Sequence, residues 1–243
     1  VCVVRRYLVD WTEFSRLGAE AAAAVGAAEA EARLRSFASR PWTDLGNPDR
    51  ARTELDSAVS LAEPLDRPRL LASVQEMLGR YYASLGEHRS AEDAYQRAIA
   101  VFTSVDDRRG SAFVTVFLGQ SLLARQEWAA AADTLAVARE AIRTAGGNRR
   151  MEGRALTSLA VACHRLGRWD EAIEAAMDAI AVLKDDNPFY EARAQELLVD
   201  LAEDRGEVAT ATAALTRALE LRESLRDPAA AKLRTRLDRM TDA

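Results

Sequence analysis

Cysteine and histidine are nearly missing from this 243-residue chain, with two of each, and lysine occurs only at Lys184 and Lys232. Cys2 and Cys163 form no CxxC pair and no disulfide framework, a usage that suits a reducing compartment and makes the cytoplasm the expected location. His88 follows the Gly86-Glu87 turn, and His164 neighbours Cys163 on a predicted helix. Adjacent helix positions point about 100° apart, so Cys163 and His164 cannot chelate one metal; a buried cysteine and a surface histidine are expected. The phosphate-binding GxxxxGK[ST], the dinucleotide GxGxxG, the nucleophile elbow GxSxG and the zinc-binding HExxH are all absent, so no enzyme, cofactor or metal is expected. Six prolines and 12 glycines exclude a collagen-like or linker-like chain. No apolar run reaches 18 residues, which excludes a transmembrane helix, and no signal-peptide pattern leads the chain. It opens Val1-Cys2-Val3-Val4-Arg5-Arg6 without methionine, as expected of a piece of something longer.

Apolar residues make up 49% of the chain and charged residues 29%, enough of both for a folded chain with a polar surface. With 33 Lys+Arg against 38 Asp+Glu the net charge is −5, which gives no general attraction for nucleic acid or an anionic membrane. One local exception runs from Arg143 to Trp169, where Arg143, Arg149, Arg150, Arg154, Arg165 and Arg168 face only Glu152. It lacks interleaved aromatics, so a solvated or partner-contacting face is expected there and direct nucleic-acid binding is not. Alanine, the best helix former, is the commonest residue, and arginine and glutamate carry most of the charge. The composition favours helix throughout.

Four segments of the chain align with one another. They carry Leu78-Gly79, Tyr82, Leu85-Gly86, Ala91, Tyr95 and Ala98; Leu118-Gly119, Leu122, Gln126, Ala131, Leu135 and Ala138; Leu159-Ala160, Cys163, Leu166-Gly167, Ala172, Ala176 and Ala179; and Leu198-Val199, Ala202, Gly206, Ala211, Leu215 and Ala218. The marker after the leading leucine recurs every 39 to 41 residues, at 79, 119, 160 and 199. Small residues at helical spacing let two backbones approach, and Gly86, Gln126, Gly167 and Gly206 place a turn between two helices in each copy. Polar junctions such as Asp106-Asp107-Arg108-Arg109, Gly146-Gly147-Asn148 and Asp185-Asp186-Asn187-Pro188 separate the copies.

These copies resemble tetratricopeptide repeats of the longer, 40-residue variety, most clearly in Leu166-Gly167-Arg168-Trp169-Asp170-Glu171-Ala172. The resemblance implies an all-α, right-handed superhelical solenoid of antiparallel helix pairs, about a dozen helices in a single domain. Repeats are expected at 26–65, 66–105, 106–146, 147–187 and 188–226, with a partial repeat over 1–25 and a capping helix over 227–243. Pro41 is expected to end its helix near Ser39-Arg40 and leave 41–44 as a turn. Asp10-Trp11-Thr12-Glu13-Phe14 resembles residues 168–172, so 12–25 should be a second helix whose partner is only residues 1–8. At the far end, Asp227-Pro228 reads as an N-cap and first helical proline, with Leu233, Leu237 and Met240 as an apolar stripe.

What the resemblance implies for function is a non-enzymatic module that binds a protein or peptide in a concave groove lined by the first helix of each pair. The junction Asp107-Arg108-Arg109-Gly110 is similar to that of the sensor arrays of bacterial signal-transduction ATPases and antibiotic-pathway transcriptional regulators. A small-molecule or peptide-pheromone receptor and a stand-alone scaffold are the alternatives. Helical spacing assigns Arg154, Thr157, Val161, His164 and Arg165 to one basic groove face and Arg193, Glu196, Asp200, Glu203 and Asp204 to an acidic neighbour. The groove should therefore change sign within one repeat, unless Arg154 or Arg165 simply pairs with Glu196 or Asp200. Phe113, Val116, Gln120 and Leu123 are the further groove candidates, and Phe113, Val116, Leu123 and Val161 would line a narrower, apolar receptor. Trp128 and Trp169 read as wedges between helices; no residue specifies an oligomeric state.

Overall fold

A computed structural model describes residues 2–241, with side chains for residues 7–240. Twelve helices and no strand occur among the described residues: α1 (Cys2–Ala24), α2 (Ala28–Asp44), α3 (Pro48–Ala62), α4 (Pro68–Ser84), α5 (His88–Ser104), α6 (Arg108–Ala124), α7 (Trp128–Thr144), α8 (Arg149–Arg165), α9 (Trp169–Leu183), α10 (Pro188–Asp204), α11 (Val208–Ser224) and α12 (Ala230–Thr241). They form two compact units, residues 1–121 and 122–243. In the first unit α1 packs on α2, α2 on α3 and α4, and α4 on α5; in the second α7 packs on α8, α8 on α9 and α10, α10 on α11, and α11 on α12.

Alanine makes this packing possible. Ala91, Ala98, Ala131, Ala138, Ala172, Ala179, Ala211 and Ala218 are all fully buried, so their helices meet without long side chains holding them apart. Leu55, Leu135, Leu183 and Leu215 fill the space between, each contributing about 1.5–3 kcal/mol by burial. The turns within pairs hold Gly46, Gly86, Gly167 and Gly206 at φ of 78°, 77°, 73° and 73°, and Gln126 adopts 63° without glycine's freedom.

The Asp107-Arg108-Arg109-Gly110 junction has a local physical account. Asp107 Oδ1 accepts from the Gly110 N–H at 2.9 Å, its Oδ2 from Arg69 Nε at 3.0 Å, and a Cβ on Gly110 would lie 2.6 Å from the Phe102 ring. The motif thus caps α6 and admits Phe102.

Three local expectations are corrected. Pro41 does not end its helix: α2 runs through it to Asp44, with Pro41 buried. Proline removes one donor and is costly in a helix interior, but here it lies in the last turn and is held between helices that pack on α2 from both sides. The segment at 9–11 is no break either, because α1 is one helix of 23 residues. Its register follows from its turn, where the Ala27 N–H donates to Ala22 O, as Asp107 does to Phe102, Gly147 to Ile142 and Asp227 to Arg222. By that register Trp11 matches Ala91, Ala131 and Ala211, three positions away from the match with Trp169. Finally, α12 begins at Ala230 and not at Pro228. Its stripe is as expected: Leu233, Leu237 and Met240 pack on the core of the second unit.

Asp227 still caps the turn before α12, accepting from the Ala229 N–H at 2.9 Å and from Arg222 Nη1 at 2.7 Å. The Ala229 bond first, and the Arg222 guanidinium second, hold this carboxyl below the ordinary aspartate range. A lowered folded-state pKa gives stability that is complete above the ordinary value near 4 and is lost as pH falls through the lowered one. The second unit should therefore lose melting temperature below about pH 4, and Asp227→Asn should flatten that part of the profile, which calorimetry against pH will show.

Candidate functional site

Asn148 starts α8 by accepting from the Met151 N–H at 2.9 Å, and Asn187 starts α10 by accepting from the Tyr190 N–H at 3.2 Å. Both helices then divide as helical periodicity requires. Met151, Ala155, Leu156, Ala160, Ala162 and Cys163 of α8 are buried, while Arg154, Thr157, Val161 and His164 stay half-buried and Arg165 is exposed. On α10 the corresponding row has Arg193, Asp200, Glu203 and Asp204 exposed and Glu196 half-buried. Two contacts place the rows side by side. At one end the Arg154 guanidinium stands 5.8 Å from the Tyr190 ring centre; at the other, His164 Nε2 lies 3.0 Å from Asp204 Oδ2.

The carboxylate row is less acidic than its sequence. Neither Arg154 nor Arg165 pairs with Glu196 or Asp200. Instead Arg222 of α11, almost fully buried, donates to Glu196 at 2.7 Å, and Arg236 of α12 donates to Asp200 at 2.7 Å and Glu203 at 2.5 Å. Sequence reasoning missed Arg222 and Arg236 because they lie 26 and 33–36 residues beyond the acids they neutralise, far outside any helical spacing. Two cations of the rows keep no carboxylate partner among the described residues. Arg165 is exposed with its guanidinium 5.9 Å from the Trp128 ring centre, and Arg193 is exposed on α10.

The wider basic stretch is not one patch. Arg143 pairs with Glu140 at 2.8 Å, Arg149 donates to the Val182 and Lys184 carbonyls at 2.8 and 3.0 Å, and Arg168 pairs with Glu171. Trp169 packs against His164 of its own repeat at 4.7 Å, whereas Trp128 reaches forward to Arg165 of the next. Cys163 is buried, and burial pushes its thiol up, away from a reactive thiolate.

On α6 the expectation for Val116 is corrected, because it is fully buried and lines no groove. It continues the buried stripe of Ala112 and Gly119, four and three residues away, and an apolar side chain there turns inward. Phe113, stacked with Arg109 at 5.3 Å, and Gln120 are half-buried in the first unit, while half-buried Leu123 belongs to the second. Among the described residues no three His, Cys, Asp or Glu gather to hold a metal, and no helix is long and apolar enough to cross a membrane.

Comparison with known proteins bears on the fold that carries these rows. One tetratricopeptide-repeat family model matches residues 43–104 and 111–185, and a second matches 76–145. No curated protein matches the chain. Among solved structures, BtubC (BKLC) from P. vanneervenii is 17% identical, with 90% of this chain and 92% of that one covered and a TM-score of 0.77. A Rap protein complexed with competence and sporulation factor is 16% identical over 85% of this chain and 57% of its own, TM-score 0.73. A signal-transduction ATPase with a tetratricopeptide-repeat sensor, from Pyrococcus horikoshii, is 14% identical over 86% of this chain and 36% of its own, TM-score 0.59. At these identities the likeness is one of fold.

Proposed function

The chain belongs to the tetratricopeptide-repeat family, and we propose that it is a non-enzymatic interaction module whose α8 and α10 rows bind an extended, carboxylate-bearing segment of a partner protein. The observation that carries this reading is the charge balance of the two rows. Glu196 is met by Arg222, and Asp200 and Glu203 share Arg236, while Arg165 and Arg193 stand exposed without a carboxylate among the described residues. The rows run parallel, and Arg154 to Arg165 spans about 16 Å at 1.5 Å per residue, the length of roughly five residues of extended peptide. Arg193 and Arg165 sit near opposite ends of that span, so a segment with acidic side chains about five positions apart would meet both. Bidentate guanidinium–carboxylate bonds would fix its direction.

The wider setting we infer is the sensor or regulatory part of a larger cytoplasmic, bacterial signalling or transcription-regulatory protein. The Rap protein complexed with competence and sporulation factor and the repeat sensor of the ATPase support it at the level of fold. A narrow apolar receptor is less favoured, because Val116, one of the side chains that would line it, is in the core. Panning a random 12-residue peptide library against the chain, then measuring affinities by fluorescence anisotropy, tests the proposal. Selected peptides should be rich in Asp and Glu, and Arg165→Glu with Arg193→Glu should weaken them at least about tenfold, the loss of one charge-assisted bond. Peptides without acidic bias, or affinities unmoved by both substitutions, would reject it.

A further inference from the structure

Helix α8 packs on both α7 and α9, which do not pack on each other among the described residues, and a recess of about 210 Å³ opens between them over α8. Its depth comes from alanine. The turn bonds put Ala132 and Ala136 of α7 in register with Ile173 and Met177 of α9, Thr212 and Thr216 of α11, and Glu92 and Gln96 of α5, so α7 alone of these four helices leaves the space open. Ala175 forms the opposite wall, and Leu159 and Cys163 of α8 the floor. Helical periodicity sets Leu159 and Cys163 opposite Arg154, Val161 and Arg165, so the recess lies on the side of α8 away from its charged row.

Two features of the recess are not accounted for by packing. Each of its arginines is already held by one acid, Arg139 by Asp178 at 2.8 Å and Arg168 by Glu171, toward its two ends. Asp133 and Glu174 are left over, one from each helix at the same register position, both exposed and without an ion-pair partner among the described residues. Asp133 meets Arg168 only at longer range. Beneath them Cys163 is 2% exposed, and its thiol has no hydrogen-bond partner among the described residues. A buried S–H without an acceptor thus borders a space the size of about seven waters at ~30 Å³ each.

We propose that this recess binds a small organic cation, a primary ammonium on a compact apolar body of about the size of phenethylamine. The body would rest on Leu159, Cys163 and the alanine walls, where apolar area leaves water and the S–H can meet an aromatic face. The ammonium would stay at the mouth, its three donors shared between Asp133 and Glu174. Charge selects the sign of the occupant: the lining carries four carboxylates against two guanidiniums, so a cation reduces the imbalance and an anion would increase it.

Isothermal titration calorimetry of the full 243-residue chain at pH 7, where an alkylamine is protonated, tests this with phenethylamine as the probe. The wild type should bind it with a Kd at or below about 1 mM, within reach of about nine non-hydrogen atoms, and the neutral 2-phenylethanol at least about tenfold more weakly. Asp133→Asn with Glu174→Gln should weaken the amine by about tenfold or more and leave the alcohol unchanged, a split that a mere change of shape would not give. Ala136→Met, which installs the residue that α9 carries at that register, should abolish both. Glu63→Gln, at an exposed acid of the first unit, should change neither. The substituted side chains are all exposed, so every variant should keep the helical circular dichroism of the wild type. A wild type that takes up no phenethylamine at about 10 mM overturns the site. Equal affinity for amine and alcohol, or amine binding that survives the double substitution, overturns the cation as occupant, and binding unmoved by Ala136→Met overturns the recess.

Discussion

Replacing Gly79 or Gly153 by alanine should destabilise its unit by a net ~2 kcal/mol, against the usual preference for alanine in helices. A Cβ at Gly79 would stand 2.4 Å from the edge of the Tyr95 ring, and one at Gly153 2.4 Å from Leu183 Cγ. Both neighbours are buried, Tyr95 to 2% exposure and Leu183 completely, so each must move by about 1 Å within close-packed surroundings. Overpacking of that kind costs about 1–3 kcal/mol or more, and the gain in helix propensity, about 1 kcal/mol, offsets only part of it. Gly18 is the control. Its Cβ would meet only the flexible Leu34 Cδ1, at 3.1 Å, and Gly18→Ala should change stability by less than about 0.5 kcal/mol. Urea unfolding followed by circular dichroism gives the comparison; Gly79→Ala or Gly153→Ala as stable as wild type would show that these helices do not meet as closely as described.

Arg222→Met is expected to be the more damaging change, at roughly 2–4 kcal/mol. The guanidinium is 6% exposed, donates to Glu196 and Asp227 at 2.7 Å each, and lies 5.0 Å from the Phe189 ring centre. Removing it strands two carboxylates that are themselves only 31% and 21% exposed, and that residual contact with water keeps the loss below that of a fully buried pair. Adding Glu196→Gln should restore part of the stability by removing one stranded charge. Arg236→Met, whose partners Asp200 and Glu203 are 57% and 38% exposed, should cost no more than about 1 kcal/mol. Equal losses for Arg222→Met and Arg236→Met would mean that the burial of Arg222 contributes nothing.

The helix pairs were legible in the sequence because their signal is local and repeated. The marker after the leading leucine (Gly, Gly, Ala and Val), the buried alanines and the positive-φ turns recur every 39 to 41 residues, and each copy tests the others. Where one copy departs from the rest, local reading fails. Pro41 reads as a break because its cost is local, while what holds it in α2 is packing from helices far along the chain. Trp11 looks like Trp169 in a five-residue window, yet the backbone bond from Ala27 to Ala22 sets its register three residues away. The groove rows follow from periodicity alone, so their membership was readable. Their charge was not, since Arg222 and Arg236 reach Glu196, Asp200 and Glu203 from α11 and α12. Val116 fails for a different reason: its row position on α8, Thr157, is half-buried, but on α6 an apolar side chain at that place joins the core.

If the exposed cations of the α8 and α10 rows select the partner, inverting their charge should invert the preference. An acidic peptide selected by the wild type and its charge-inverted, Lys-bearing counterpart would be titrated against the wild type and against Arg165→Glu/Arg193→Glu. The wild type should prefer the acidic peptide and the variant the basic one, with the ratio of affinities changing by about 100-fold, two exchanged ion pairs of about 1.4 kcal/mol each. An unchanged preference would contradict selection by these cations.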